Sequence, residues 1–309
     1  MKILIICSHR YYAPYTEYVA PFIHEQMRGL KSFGCEFRIC FVKGGGLKSY
    51  LRAWRDMQNM ITTYQPDIIH AHYGLCCFIA NMQRKVPVVS TYHGSDINSS
   101  RIRWISKIAI HLSCMNIFVS QKLQTIAANP CRSIVVPCGV DINRFYPMDR
   151  VSCRTKLGMD KHKTYILFSK EFADNVKNYP LAKAAVERLG LDVELLEFYG
   201  YNRDQVPMLY NAVDCGLLTS FTEGSPQFVK EAVACGCPIV STDVGDVAEV
   251  IKGAENSYIT TYEMEDVVNK LHHALKKGHL IQTNLDAKYI DTNIVKTIHE
   301  IYTDICSKK

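Results

Sequence analysis

No apolar run in this chain of 309 residues reaches the ~18–20 residues that a helical membrane span needs, so a span is not expected. A secretory leader is not expected either. The first stretch, MKILIICSHRYY, carries only ILIIC as its apolar run, with no small-residue cleavage site behind it; it reads as a buried first strand. Among the thirteen cysteines the only close pairs are Cys76-Cys77 and Cys235-x-Cys237. Neither has the spacer or the companion pair of a zinc or redox motif, so the cysteines read as reduced, packed thiols. Glycine is missing from SHRYYAPYTEYVAPFIHEQ, the stretch after the first strand. A dehydrogenase is therefore disfavoured, because its dinucleotide needs a glycine-rich turn at that place. In the second half no D-x-D pair stands at a strand end: STDVGD sets Asp243 and Asp246 three apart, a spacing suited to a turn.

The chain does have an ordinary globular composition, 48% hydrophobic and 21% charged, which argues against disorder. Its length suits two domains of about 150 residues each. Charge is divided unevenly. Residues 1–150 balance to +10 and residues 151–309 to −4, which points to different partners for the two halves.

KILIICS, EFRICFV, DIIHAHYG, VPVVSTYHG, NIFVS and SIVVPCG are near-continuous apolar runs, the pattern of parallel strands buried on both faces. Helical patterns such as VAPFIHEQMRGLKSFG separate them, which makes a βαβ series. After a polar stretch at about 147–163 the series restarts with TYILFS, VELLEFYG, CGLLTSF and PIVSTDVG. The fold expected is α/β, two doubly wound Rossmann-like domains whose strand ends face a cleft. Residues 1–150 form the first domain and 151–285 the second. Residues 286–309 form a C-terminal helix packing back towards the first.

The stretch EGSPQFVKEAVACGCPIVSTDVGDVAEVI holds Glu223 and Glu231, separated by seven residues, around a Gly-Ser-Pro turn. Ser225 is a plausible N-cap and Pro226 suits the first helical position, with Gly236 as the stop. A helix starting there offers unpaired N–H groups to a diphosphate.

That stretch, with VPMLYNAVDCGLLTS before it, resembles the donor-binding region of GT-B glycosyltransferases of the retaining, family-4 type. PDIIHAHYG, VVSTYHGSD and IVVPCGVDINRFYP resemble the same family's N-domain and linker segments in the same order. The resemblance implies a nucleoside-diphosphate sugar as donor and a carbohydrate or lipid-linked hydroxyl as acceptor. It implies front-side transfer with retention and no divalent metal or other cofactor. Glu223 would position the donor sugar, Glu231 would grip the ribose, and Gly224, Ser225 and Pro226 would approach the diphosphate. For Glu231 the alternative is a solvated helix carboxylate. Lys177 in VKNYP matches the family's phosphate-neutralising lysine. The arginine that usually precedes it is missing, and Lys170 is the nearest cation to its place, with a surface lysine as the alternative.

In the first domain, His93 in the H-G-x-D pattern would lie near donor sugar and acceptor, with Asp96 beside it facing the cleft. His72 would at most line that cleft. Tyr15, Thr16 and Glu17 occupy the place where many relatives carry two glycines, and are candidates on the acceptor side. Nucleic acid is not among the expected partners. Basic segments with tryptophan, GLKSYLRAWRDMQNMI and SSRIRWISKIAIH, suit a cytoplasmic enzyme at an anionic membrane face. Solvated charges on helices packed against the sheet are the plainer reading. Two other functions stay open: a non-hydrolysing nucleotide-sugar epimerase of the same fold, and a catalytically silent nucleotide-binding protein.

Overall fold

Near-continuous β-branched runs become parallel strands in the computed structural model, which describes residues 1–9, 19–190 and 192–308. In the first unit these are β1 (Lys2–His9), β2 (Glu36–Lys43), β3 (Ile68–His72), β4 (Val88–Tyr92), β5 (Met115–Phe118) and β6 (Ser133–Val135). They lie in the order β2-β1-β3-β4-β5-β6, every pair parallel. The second unit holds β7 (Thr164–Phe168), β8 (Val193–Glu197), β9 (Cys215–Leu218), β10 (Ile239–Thr242) and β11 (Tyr258–Thr260). Their order is β11-β10-β9-β7-β8, again all parallel. Helices cover both faces of each sheet, so every residue of β3 and β4 is buried. Each unit is a doubly wound α/β domain.

Strand order reverses between β1 and β3 in one sheet and between β7 and β9 in the other. Ligands of open α/β sheets bind beyond the carboxyl ends of the strands at such points. Tyr15, Thr16 and Glu17, which follow β1 in the sequence, lie outside the described residues.

The units divide between Gly139 and Val140, and again between Ile290 and Asp291. Residues 140–150, assigned from sequence to the first domain, therefore pack with the second. Phe145 and Val140 are buried in its core, and the Val140 N–H donates to the Tyr289 carbonyl at 2.8 Å. The helix Asp291–Ser307 packs in the first unit, where Ile294, Val295, Ile298 and Tyr302 join the cluster under β1 and the helix Pro21–Lys31. Gly29 lets the two helices touch: a Cβ there would stand 2.5 Å from Val295 Cγ2. All thirteen cysteines are free thiols, most of them buried.

His70 links that returning helix to the sheet. It has no exposed surface, and its ring bonds to the Tyr302 hydroxyl through Nδ1 (2.5 Å) and to Thr91 Oγ1 through Nε2 (2.7 Å). Burial drives its pKa down to about 3. The native state then binds fewer protons than the unfolded chain below the ordinary histidine pKa of 6.5. The stability involved is present above that pH and is lost as pH falls from there towards 3. Between pH 7 and pH 5 this one group should remove about 2 kcal/mol. Urea titrations of the wild type and of His70→Gln at both pH values check it: the wild type should lose more stability than the variant, and equal losses would show that His70 does not carry the effect.

Candidate active site

The carboxyl end of β9 is pinned on both sides. Thr219 Oγ1 donates to the carbonyls of Lys177 (2.8 Å) and Asn178 (3.1 Å), and the Phe221 N–H donates to Val176 O at 3.0 Å. The Ser220 carbonyl accepts from Thr242 Oγ1 (2.8 Å) and from the Tyr262 hydroxyl (3.0 Å). Across from it the loop after β7 makes a 3-10 turn, Asn175–Lys177, whose start is held by Asp174 accepting from the Val176 N–H. Asn178 follows with φ +54, a left-handed conformation that asparagine tolerates, and reverses the chain into the helix Tyr179–Leu189.

These two loops bring Lys177 and Glu223 together at the β7/β9 switch point. Lys177 Nζ pairs with Glu223 Oε1, and Ser220 Oγ donates to the same oxygen at 2.7 Å. Each side chain is 15% exposed, so the pair is only partly withdrawn from water. Lys170 lies two residues past the end of β7 and makes no ion pair with a described residue. Its carbonyl accepts from the Phe198 N–H.

The turn Gly224-Ser225-Pro226 is held by a buried chain of hydrogen bonds. Lys230 Nζ donates to Ser225 Oγ at 2.7 Å, and Ser225 Oγ donates to Asp246 Oδ2 at 2.6 Å. Lys230 has no exposed surface and Asp246 is 4% exposed. Burial raises the Asp246 pKa, and the charge of Lys230 opposes that rise. Gly245, at φ +58, must be glycine here, because a Cβ would stand 2.6 Å from the Gly224 carbonyl. The cap differs from expectation by one position: the helix is Gln227–Ala234, Pro226 is its N-cap, and Ser225 caps nothing. The reason is that the Ser225 hydroxyl is taken by Asp246 and Lys230. Sequence reasoning missed Lys230 and Asp246, although a single lysine in the otherwise apolar FVKEAVA was a signal for the first.

Glu231 is not a solvated helix carboxylate. Its side chain is 3% exposed, with Oε1 2.7 Å from Arg203 Nη1 and Oε2 accepting from the Tyr210 hydroxyl at 3.2 Å. The Arg203 guanidinium stands 4.7 Å from the Phe145 ring centroid. Arg203 was missed as well, and nothing in its spacing from Glu231 signals the pairing.

In the first unit, His93 follows β4 and is half-buried, with its ring near Phe22 (4.7 Å) and Tyr73 (4.8 Å between centroids). Tyr73 closes β3 at φ +72, a strained position of the kind that gathers at functional sites. Asp96 does not face outward as expected. It is 3% exposed, and its carboxylate accepts from the backbone N–H groups of Gly94 (2.9 Å), His93 (3.2 Å) and Gly74 (3.2 Å). Three amides in a tight turn draw the carboxylate inward, so Asp96 shapes the His93 loop. His72 lines no surface either. It has no exposed area, because β3 is central in its sheet and covered on both faces, and its Nδ1 lies 3.0 Å from His93 Nε2.

Residues 19–144 match the family described as Glycosyltransferase Family 4, and residues 173–277 match Glycosyl transferases group 1. The chain is 22% identical over 302 residues to D-inositol 3-phosphate glycosyltransferase of Mycobacterium sp. (strain KMS), covering 81% of this chain and 66% of that protein. It thus spans just under two thirds of that relative's length. Among solved structures, sucrose-phosphate synthase of Thermosynechococcus elongatus superposes with a TM-score of 0.82 at 13% identity, covering 100% of both chains. The Anabaena protein Alr3699/HepE, in complex with UDP-glucose, superposes with a TM-score of 0.74 at 19% identity, covering 98% of this chain and 100% of that one. Both are similar to this chain in fold.

Proposed function

We propose that this chain, which belongs to the family 4 (group 1) glycosyltransferases of GT-B fold, moves a sugar from a nucleoside-diphosphate sugar to a hydroxyl acceptor with retention of configuration. The observation that carries the proposal is the Lys177–Glu223 pair at the β7/β9 switch point, beside the turn that opens the helix Gln227–Ala234. The diphosphate takes Lys177 as its counter-charge and lies towards the backbone N–H groups of that helix. Drawing Lys177 to the phosphate releases Glu223 to accept from hydroxyls of the donor sugar. Glu231 serves the ribose diol. A carboxylate has about four acceptor directions, so the diol joins Arg203 and Tyr210 there. His93, in the first unit, is proposed to meet the transferred sugar or the acceptor. In the reaction the C1–O bond to the diphosphate breaks and the acceptor oxygen bonds C1 from the same face. The acceptor proton passes to the departing phosphate oxygen, so no strong protein base is needed.

Thermal-shift titration with UDP, GDP, ADP and their sugar conjugates tests the donor site, because a ligand of the native state raises the melting point. Incubation with donor alone then separates the readings: an epimerase turns it over, a transferase does not beyond slow hydrolysis, and a silent binding protein does nothing with any acceptor. The reaction is proposed to run without a divalent ion, Lys177 supplying the charge. Undiminished turnover in excess chelator is the expected result, and loss of activity restored by manganese or magnesium would overturn it.

The acceptor is proposed to be lipid-linked or otherwise anionic, met at an anionic membrane face by the basic first half. No helix among the described residues is long and apolar enough to cross a membrane. On the helix Leu47–Tyr64, Leu47 and Leu51 are exposed beside exposed Lys48, Arg52 and Arg55, while Met57 is buried. On the helix Ser100–Leu112, Trp104 is 61% exposed beside Arg101 and Lys107. Arg103 is committed inward, donating from Nη2 to Asn98 O at 2.8 Å and from Nε to Ile97 O. Co-sedimentation with anionic vesicles at low salt should fall when Arg52, Arg55 and Arg101 are replaced together, at about 1 kcal/mol for each charge. Replacing Arg103 should act through the fold instead. Binding indifferent to the triple change would remove the membrane from the proposal.

A further inference from the structure

His93 has two ring nitrogens, and the partner of one decides which of them carries the proton. Its Nε2 lies 3.0 Å from Nδ1 of His72, whose ring is stacked against those of His70 (4.3 Å) and His93 (5.3 Å). His72 is fully buried, and that burial, with His70 and His93 beside it, holds its pKa well below the usual histidine range. It is therefore neutral, with a single proton to place.

Two arrangements fit the 3.0 Å contact. If His93 Nε2–H donates to His72, the His72 proton must sit on its Nε2, which has no hydrogen-bond partner among the described residues. That leaves an N–H donor orphaned in the interior. If instead His72 Nδ1–H donates to His93, His72 Nε2 is a bare lone pair. Orphaned buried backbone N–H groups are rarer than under-satisfied backbone carbonyls, and the same preference carried over to the imidazole favours the second arrangement.

We propose that His72 is a positioning residue that fixes His93 as the Nδ1–H tautomer, so that His93 offers an N–H donor to an acceptor oxygen of the substrate. Cys138 Sγ stands 4.0 Å from that nitrogen, and a thiol sulfur is a weak acceptor that a sugar or phosphate oxygen displaces. The inference rests on the reading of His93 as a neighbour of the transferred sugar and specifies the chemistry of the contact. It also removes Nδ1 of neutral His93 as a general base, in keeping with proton transfer to the departing phosphate.

Long-range 1H–15N correlation spectra of the full chain with 15N-labelled histidine, above pH 7, test it, with the His93 signals assigned by their absence from His93→Ala. Wild-type His93 should show its proton on Nδ1. His72→Leu should shift the proton towards Nε2 and lower kcat by about tenfold or more. His72→Asn, whose amide can donate from near the place of Nδ1, should restore the Nδ1–H signature and most of the rate. A proton on Nε2 of His93 in the wild type overturns the proposal, as does an unchanged tautomer in His72→Leu. If His93→Ala turns over at the wild-type rate while the spectra are as stated, the tautomer assignment stands and His93 leaves the reaction.

Discussion

Glu223→Gln should lower kcat by roughly 10²–10³-fold, the scale on which single preorganised groups act on a developing charge, while donor KM stays level or falls. The direction of the KM effect comes from the ion pair. In the wild type Lys177 Nζ is engaged by Glu223, so a diphosphate must draw it away. Once residue 223 is neutral, that competition ends. Lys177→Met should show the converse pattern, a donor KM raised by the loss of a charged hydrogen bond of about 1.5–3 kcal/mol. Because each charge faces the other, the double variant should fall short of the sum, with a coupling of roughly 0.5–3 kcal/mol. Steady-state kinetics on the four proteins decide the matter. Additive losses, or a Glu223→Gln variant whose only change is a raised KM, would show that the pair is not the unit proposed.

The second large effect concerns Arg203. Its partner Glu231 is 3% exposed, so Arg203→Ala leaves a carboxylate in a nearly dry site without the guanidinium that faces its Oε1, while the Tyr210 hydroxyl still donates to Oε2. Breaking a buried pair from one side costs about 3–5 kcal/mol, far more than such a pair contributes net. Arg203→Ala should therefore lower stability by that amount. Adding Glu231→Gln should recover much of the loss, because the stranded charge is gone. Glu231→Gln alone should weaken donor binding while leaving kcat less changed. Denaturant unfolding of the three variants reads the first two effects and donor titration reads the third. A small loss for Arg203→Ala, with no recovery in the double variant, would mean that water solvates Glu231 more fully than its burial implies.

Much of the architecture was legible because parallel strands covered on both faces need unbroken apolar runs, and such runs are local. KILIICS, DIIHAHYG and CGLLTSF announce buried strands without reference to any partner. The break between domains was harder to read. NRFYP sits in a polar stretch, and only the pocket against Tyr210 and its neighbours draws Phe145 into the second unit. Asp96 illustrates a related difficulty. Its place at a strand end fits a ligand-facing carboxylate and an amide-binding one equally well, and the left-hand turn through Gly94 decides between them.

By itself the sequence determined two βαβ series with parallel sheets, and it put Lys177, Glu223, Glu231 and His93 in the loops and helix that follow strands, because strand and helix periodicity is written in neighbouring residues. Tertiary structure alone decided which of these groups meet. Lys177 reaches Glu223 across 46 positions, Arg203 reaches Glu231 across 28, and His72 lies against His93 across 21. Those distances in sequence are closed by the order in which strands pair and by the burial that orients each side chain, and neither has a local signature.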